Sequence, residues 1–168
     1  MSKFDANGFQ INSERGFKDC HQLHIAVSDR NFATVRQLLD AGVPVDLRDK
    51  TCAPWTALHY ACDNQSINIA HLLLDRGADI NSLVQDGKAF FPPLMLALGL
   101  GQAYDRHWGY GQLLQKRIPM TRLLLEERAD TDLLWSDVRN LVGFFSETMD
   151  LLRLAEKNRK LEQSAASW

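Results

Sequence analysis

Histidine, cysteine and aspartate side chains, which can bind metals or transfer protons, occur at short spacings in this chain. His59 and Cys62 lie three residues apart, and Asp105 lies two residues before His107. A structural zinc site needs about four ligands, and neither pair has a second pair at a suitable distance. Asp105 and His107 have no nucleophile beside them in a known spacing, and no glycine-rich phosphate loop follows a predicted strand. The sequence therefore predicts no catalytic residue, no metal site and no cofactor.

One of these histidines belongs to a segment that the chain repeats. Leu23-His24-Ile25-Ala26 returns 35 residues later as Leu58-His59-Tyr60-Ala61, and a looser version, Leu94-Met95-Leu96-Ala97, follows 36 residues after that. Each segment leads into a leucine-rich stretch, and Gly42 and Gly77 end the first two stretches, where a helix should stop. Apolar residues recur at spacings of three and four, which predicts two helices per unit. One such pair cannot bury its apolar face alone, so the units must stack.

The period and these motifs resemble the ankyrin repeat, a unit of about 33 residues with two helices and a turn. The match is strongest over Trp55–Asn81, where Thr56-Ala57-Leu58-His59-Tyr60-Ala61 stands close to the family's Thr-Pro-Leu-His-x-Ala. The resemblance implies an all-α fold, an ankyrin-type α-solenoid of stacked helix-turn-helix units with hairpin-like finger loops. It also implies that His24 and His59 are structural and hold a turn by hydrogen bonds to the backbone.

The spacing predicts a single repeat domain with a short tail at each end. We expect repeats at about residues 19–47, 48–82 and 83–132, and a degenerate cap at residues 133–163. Residues 1–18 are expected to form a tail or a partial cap, and residues 164–168 a C-terminal tail. The third unit is 15 residues longer between its helices than the first two, which places an insertion at residues 99–117. Its glycines predict a loop, Gln112–Arg117 is compatible with a short helical lead-in, and Pro119 suits the first turn of the next helix.

The cap is expected to present a polar outer face. One helix is predicted at Asp137–Phe145, and a second is predicted to open at Ser146 as its N-cap. The apolar residues expected to face the stack are Leu152, Ala155 and, as a further candidate, Leu161. The basic residues expected to face water or the helix C-terminus are Lys157, Arg159 and Lys160.

Composition excludes several classes of function. The 168 residues include 19 basic and 21 acidic side chains, so no strongly basic field points to nucleic acid. The chain has no run of 18 apolar residues that would predict a membrane span, and its N-terminus has no apolar run typical of a signal peptide. Three cysteines, Cys20, Cys52 and Cys62, form a sparse and odd set that favours a reducing compartment. We therefore expect a protein of the cytoplasm or nucleus, and a monomer.

The resemblance implies that a partner protein or peptide binds the concave face, which the fingers and the first helix of each unit form. Carried over by position, the candidate contacts are Lys50, Thr51, Trp55, Asp63, Asn64, Phe90 and Phe91. The insertion adds the side chains of Tyr104, His107, Trp108 and Tyr110, which suggest a recognition loop. Aromatic residues dominate interface hot spots, but the same rings could instead pack the fingers or anchor the loop.

Two other functions remain open from the sequence. A small-molecule or enzymatic site could lie between the groove and the insertion, with Asp63, Asp105 and His107 as its polar groups. Alternatively, the chain is a segment of a larger repeat protein, and Leu133, Leu134 and Trp135 form a self-associating edge.

Overall fold

The computed structural model describes six segments of the chain, residues 7–8, 20–50, 54–86, 89–99, 110–134 and 146–165. Its helices are α1 (Gln22–Ser28), α2 (Phe32–Asp40), α3 (Ala57–Asp63), α4 (Ile67–Asp75), α5 (Pro93–Ala97), α6 (Tyr110–Glu126) and α7 (Ser146–Ala165). A hairpin of β1 (Val84–Asp86) and β2 (Ala89–Phe91) precedes α5, and a 3-10 turn (Thr131–Leu133) follows α6.

The helices stack as antiparallel pairs, which confirms the predicted solenoid. α1 pairs with α2, α3 with α4 and α5 with α6, while α3 packs between α1 and α5. The repeated leucines Leu23, Leu58 and Leu94 are at most 1% exposed and belong to one continuous core. Each pair thus buries its apolar face against the next, as units that cannot fold alone must do.

Glycine ends the second helix in the first two units. Gly42 and Gly77 follow α2 and α4 with φ angles of 89° and 83°. A side chain is strained at such angles, whereas glycine adopts them at little cost. The backbone N–H of the next residue then reaches back into the helix, from Val43 to Leu38 and from Ala78 to Leu73. The two glycines therefore lie just past the ends of α2 and α4, where the sequence predicted that the helices stop.

The third unit departs from the prediction in where its second helix begins. α6 is continuous from Tyr110 to Glu126, so residues 110–117 are helix, and Pro119 lies in the helix interior rather than in its first turn. Proline removes one helical hydrogen bond and crowds the preceding turn. The helix persists because tertiary contacts hold both sides of Pro119: Met120 and Leu124 are fully buried, and Arg117 donates a 2.9 Å hydrogen bond to the carbonyl of Leu96.

The last described helix, α7, contacts α6. It begins at Ser146, close to the predicted start, whereas the helix predicted at Asp137–Phe145 lies outside the described residues. Leu152 is 4% exposed and Ala155 is half-buried, as expected. Leu161, however, is 57% exposed, so its predicted place against the stack is wrong.

Two further expectations for the cap are corrected. α7 continues to Ala165, so the predicted tail is helical at its start. Arg159 points toward the stack rather than freely into water, because the carboxylates of Asp130 and Asp132 accept hydrogen bonds from its guanidinium at 2.6 and 2.8 Å. These two ion pairs at the end of the third unit orient the side chain, which is still 35% exposed.

Candidate partner-binding surface

The repeated histidines hold the fingers to the helices. His59 Nε2 donates to the carbonyl of Phe91 at 3.0 Å, and its Nδ1 accepts from the backbone N–H of Thr56 at 3.3 Å. His24 Nε2 likewise donates to the carbonyl of Leu47 at 2.9 Å, and its Nδ1 accepts a backbone N–H three residues earlier. Both side chains therefore use both ring nitrogens on the backbone, which confirms their predicted structural role.

Burial keeps these histidines neutral. His59 is fully buried, and this burial lowers its pKa to about 4, although the hydrogen bond to Phe91 opposes the change. Burial also lowers the pKa of His24, against the hydrogen bond to Leu47. A neutral ring with a proton on Nε2 suits both backbone partners. The histidines thus position the segments where binding residues are predicted and supply no chemistry of their own.

The second finger, residues 48–56, is fixed by charged residues that the sequence did not single out. The Arg48 guanidinium donates to the carbonyls of Pro54 and Leu83 at 3.3 and 3.1 Å, which ties this finger to the next one. Asp49 is 4% exposed and accepts a 2.6 Å hydrogen bond from the hydroxyl of Tyr60. Neither interaction has a signal in the local pattern, since the partners lie six to 35 residues apart.

Trp55 lies at the base of this finger and is half-buried. Its ring centroid lies 5.2 Å from that of Tyr60, in an edge-to-face arrangement, and 6.3 Å from that of His59. Aromatic pairs in this geometry stabilise packing beyond the area that they bury. Trp55 therefore packs the finger with one part of its ring and leaves the rest accessible. Its neighbour Tyr60 stays a hydrogen-bond donor, because burial and the hydrogen bond to Asp49 raise the pKa of its hydroxyl.

The third finger, residues 83–91, separates its two phenylalanines. The hairpin pairs Val84 with Phe91 and Gln85 with Phe90. Val84 and Phe91 are 0% and 7% exposed, whereas Phe90 is 44% exposed and Leu83 is 39% exposed. Successive side chains of a strand point to opposite faces, so Phe91 faces the core and Phe90 faces solvent. This corrects the sequence prediction for Phe91, which does not offer its ring to a partner, and adds Leu83, which sequence reasoning missed.

The end of α3 contributes the predicted residues Asp63 and Asn64. The side-chain amide of Asn64 donates to the carbonyl of Val27 at 2.9 Å and accepts from the N–H of Ser66 at 3.1 Å. It thereby links the first two units and closes the turn before α4. Asp63 is half-buried, and burial raises its pKa while the charge of Arg117 lowers it. Asp63 is therefore the more available of the two for a partner.

The remaining predicted residues divide into two groups. Lys50 is exposed on the second finger. The residues that lie outside the described part of the chain are Thr51, Tyr104, Asp105, His107, Trp108 and Trp135. Tyr110 begins α6, but its side chain is also outside the described part. Of the predicted residues, the structure thus places Lys50, Trp55, Asp63 and Phe90 on or near the surface of the fingers and first helices.

A cavity of about 450 Å³ lies elsewhere, between α6 and α7. Its lining includes Leu125, Leu151 and Arg159 but not Asp63. Within the described residues, no three His, Cys, Asp or Glu side chains are grouped so that they could hold a metal ion. Among the described helices, none combines the length and apolar character needed to cross a membrane.

Comparison with known proteins links this architecture to a family. The family model described as ankyrin repeats, in three copies, matches residues 5–84. The chain is 38% identical to protein phosphatase 1 regulatory subunit 27 of Mus musculus over 65 residues. This match covers 39% of the chain and 41% of that relative. Over 65 residues it is 37% identical to palmitoyltransferase AKR1 of Naumovozyma castellii, and over 68 residues 32% identical to tyrosine-protein kinase HTK16 of Hydra vulgaris.

The extent of these matches limits what they carry over. They cover 8% of the palmitoyltransferase and 9% of the kinase, too little to imply either activity here. The family model spans the first two helix pairs, and ankyrin repeats generally mediate interactions between proteins. Residues 5–84, which include the first two helix pairs with their glycine ends and backbone-bound histidines, match the ankyrin repeat family.

Proposed function

We propose that this protein is a non-catalytic binding module, an adaptor or scaffold that holds a partner protein or peptide on the concave face of its stack. The contact surface consists of exposed and half-buried side chains of the two fingers and the end of α3: Lys50, Trp55, Asp63, Leu83 and Phe90. One relative is a regulatory subunit of protein phosphatase 1, which supports a role through binding. We place the protein in the cytoplasm or nucleus, where the buried free thiols of Cys20 and Cys62 would stay reduced.

The exposure of Leu83 and Phe90 is the observation that carries this proposal. Both side chains are more than a third exposed, although their neighbours Val84 and Phe91 are buried. A finger that needed only its own core would be satisfied by the inward pair. Large apolar side chains that remain exposed beside a half-buried tryptophan are typical of an interface anchor.

The test compares two phenylalanines of similar exposure. Phe90 is 44% exposed on the third finger, and Phe32 is 41% exposed at the start of α2, the second helix of its unit. Once the wild-type chain has identified a partner by affinity capture, we expect Phe90→Ala to weaken the measured Kd by about tenfold or more. Phe32→Ala should leave the Kd within about twofold, because it lies off the proposed surface.

Thermal unfolding of both variants shows whether either change affects the fold. Equal affinity of the wild type and Phe90→Ala, or an equal loss for both variants, would contradict binding on the fingers. A combined Leu83→Ser and Phe90→Ala variant that still bound normally would do so most directly.

A further inference from the structure

The outward side of α7 carries two exposed leucines that its packing does not explain. Leu154 and Leu161 are 55% and 57% exposed and lie seven residues apart, which places them on one side of the helix. Leu152, at 4% exposed, already supplies the buried contact of α7 with the stack. Large apolar side chains that stay exposed together on one side of a helix indicate a surface that another molecule covers.

The cavity between α6 and α7 lies beside this surface. Its lining is mixed: Leu125, Leu151 and Ala155 form an apolar part beside charged side chains of both helices, and Leu154 also lines it while remaining exposed. An apolar side chain of a partner that lies along α7 can therefore enter the cavity next to Leu154. Anchor side chains in such pockets supply much of the affinity when a helix binds in a groove.

In the described part of the chain, basic side chains without an ion pair lie beside the leucines, whereas the nearby acidic residues Asp150 and Glu162 are paired with Arg153 and Arg128. Lys157 lies between them on α7, Lys160 is exposed beside Leu161, and Arg122 of α6 is exposed at the rim of the cavity. Within the described residues, none of these three cations has an ion-pair partner, unlike Arg159 and Arg128. Cations beside an exposed apolar strip favour a partner that brings carboxylates to the edges of its own apolar strip.

We propose that the outward side of α7, with the adjoining cavity, binds an acidic amphipathic helix of a partner protein. Leu154 and Leu161 contact the apolar stripe of that helix, and one of its side chains fills the cavity. Lys157 and Lys160 pair with its glutamates or aspartates. This surface is separate from the fingers, so the proposal does not depend on whether a partner binds the concave face.

The test is a selection from a displayed library of helical peptides against the full chain. Every peptide has leucine-like residues at positions i, i+3, i+4 and i+7, and the flanking positions vary between glutamate and lysine. We expect the enriched peptides to be rich in glutamate at the flanks. Their affinity should fall at least about tenfold for Leu154→Ser combined with Leu161→Ser. Lys157→Glu combined with Lys160→Glu should weaken the same peptides, and added salt should weaken their binding to the wild type.

Controls separate the possible failures. Phe90→Ala should bind the selected peptides as the wild type does, since it lies on the third finger. If the double leucine variant is unfolded in a circular dichroism melt, the single variant Leu161→Ser replaces it in the binding test, because Leu161 does not line the cavity. The proposal is overturned if no enriched peptide depends on the leucines, or if the enriched peptides are rich in lysine. Leucine-dependent binding to vesicles of phosphatidylcholine and phosphatidylglycerol, without acidic peptides, would overturn it in favour of a lipid surface.

Discussion

At the scale of single residues, the same type of side chain has different roles because its surroundings differ. Phe90 and Phe91 are neighbours, yet one faces solvent and the other joins the core, because strand residues alternate. His59 and His71 are both on helices, yet His59 is fully buried with its ring nitrogens on the backbone, and His71 is exposed. The sequence identified His59 correctly because its motif is specific. It could not separate the phenylalanines, because the register of the hairpin was not known.

The buried histidine predicts a loss of stability in mild acid. The unfolded chain protonates His59 near its ordinary pKa of 6.5, whereas the folded protein holds it neutral down to about pH 4. The contribution of His59 to the free energy of unfolding is therefore fully present above pH 6.5. It is lost as the pH falls from 6.5 toward 4, and the loss for this one residue is about 3 kcal/mol. Urea unfolding at several pH values measures the decline.

The control for this prediction is a histidine on the surface. His59→Gln should flatten the decline between pH 6.5 and 4, whereas His71→Gln should leave it unchanged. NMR titration of the His59 ring in the wild type provides a second measurement that does not depend on how well the variants fold. A ring that titrates near 6.5 in the folded protein would refute the prediction.

At the scale of elements, contacts between units decide where helices begin and end. The periodicity of the first two units predicted α1 to α4 well, because their apolar spacing and their glycines are local signals. The same reasoning placed Pro119 at a helix start, where proline is favoured. The structure places it inside α6, where the buried side chains of Met120 and Leu124 hold the helix against its neighbours. Packing between helices outweighs the local preference of one residue.

The position of Pro119 leads to a prediction about stability. Pro119 is exposed, so alanine would restore a backbone donor and remove the crowding without disturbing the core. We expect Pro119→Ala to raise the free energy of unfolding by about 1–3 kcal/mol, less a few tenths for the freer unfolded chain. Chemical denaturation measures the change. Arg122→Ala, also exposed on α6, is the matched control and should be close to neutral; a destabilised Pro119→Ala would show that α6 does not continue through this position.

At the scale of the whole molecule, charged contacts help to attach the last described helix, α7, to the stack. Among the described residues of α7, Leu152 alone is buried, whereas Arg159 bonds both Asp130 and Asp132 at the end of the third unit. Little buried apolar area means that α7 can open without unfolding the rest of the stack. A repeat array of this kind has no single stability, because each unit is held only by its neighbours.

Removal of the Arg159 guanidinium, which bonds Asp130 and Asp132, should therefore release α7 selectively. Arg159→Ala is expected to lower the stability of α7 docking by about 0.5–1 kcal/mol, since the pair is partly exposed, and added salt should reduce the difference. Hydrogen exchange followed by mass spectrometry would show faster exchange in α7 and unchanged exchange in α1 to α4. Arg153→Ala is the control, because Arg153 pairs only with Asp150 of the same helix among the described residues. Equal effects of the two variants would argue against an ionic attachment.

The sequence by itself determined the repeat, the helix pairs of the first two units, their glycine ends and the structural histidines. These features depend on spacings of three, four and about 35 residues, which can be read along the chain. Only the tertiary structure decided which face of the third finger is exposed, that α6 passes through Pro119, and that Arg159 faces the stack while Leu161 faces water. The physical reason is that each of these depends on a partner distant in sequence. Arg159 and Asp130 lie 29 residues apart, and Arg117 and Leu96 lie 21 apart. The Phe91 carbonyl of the third finger is bound by the His59 ring, 32 residues away.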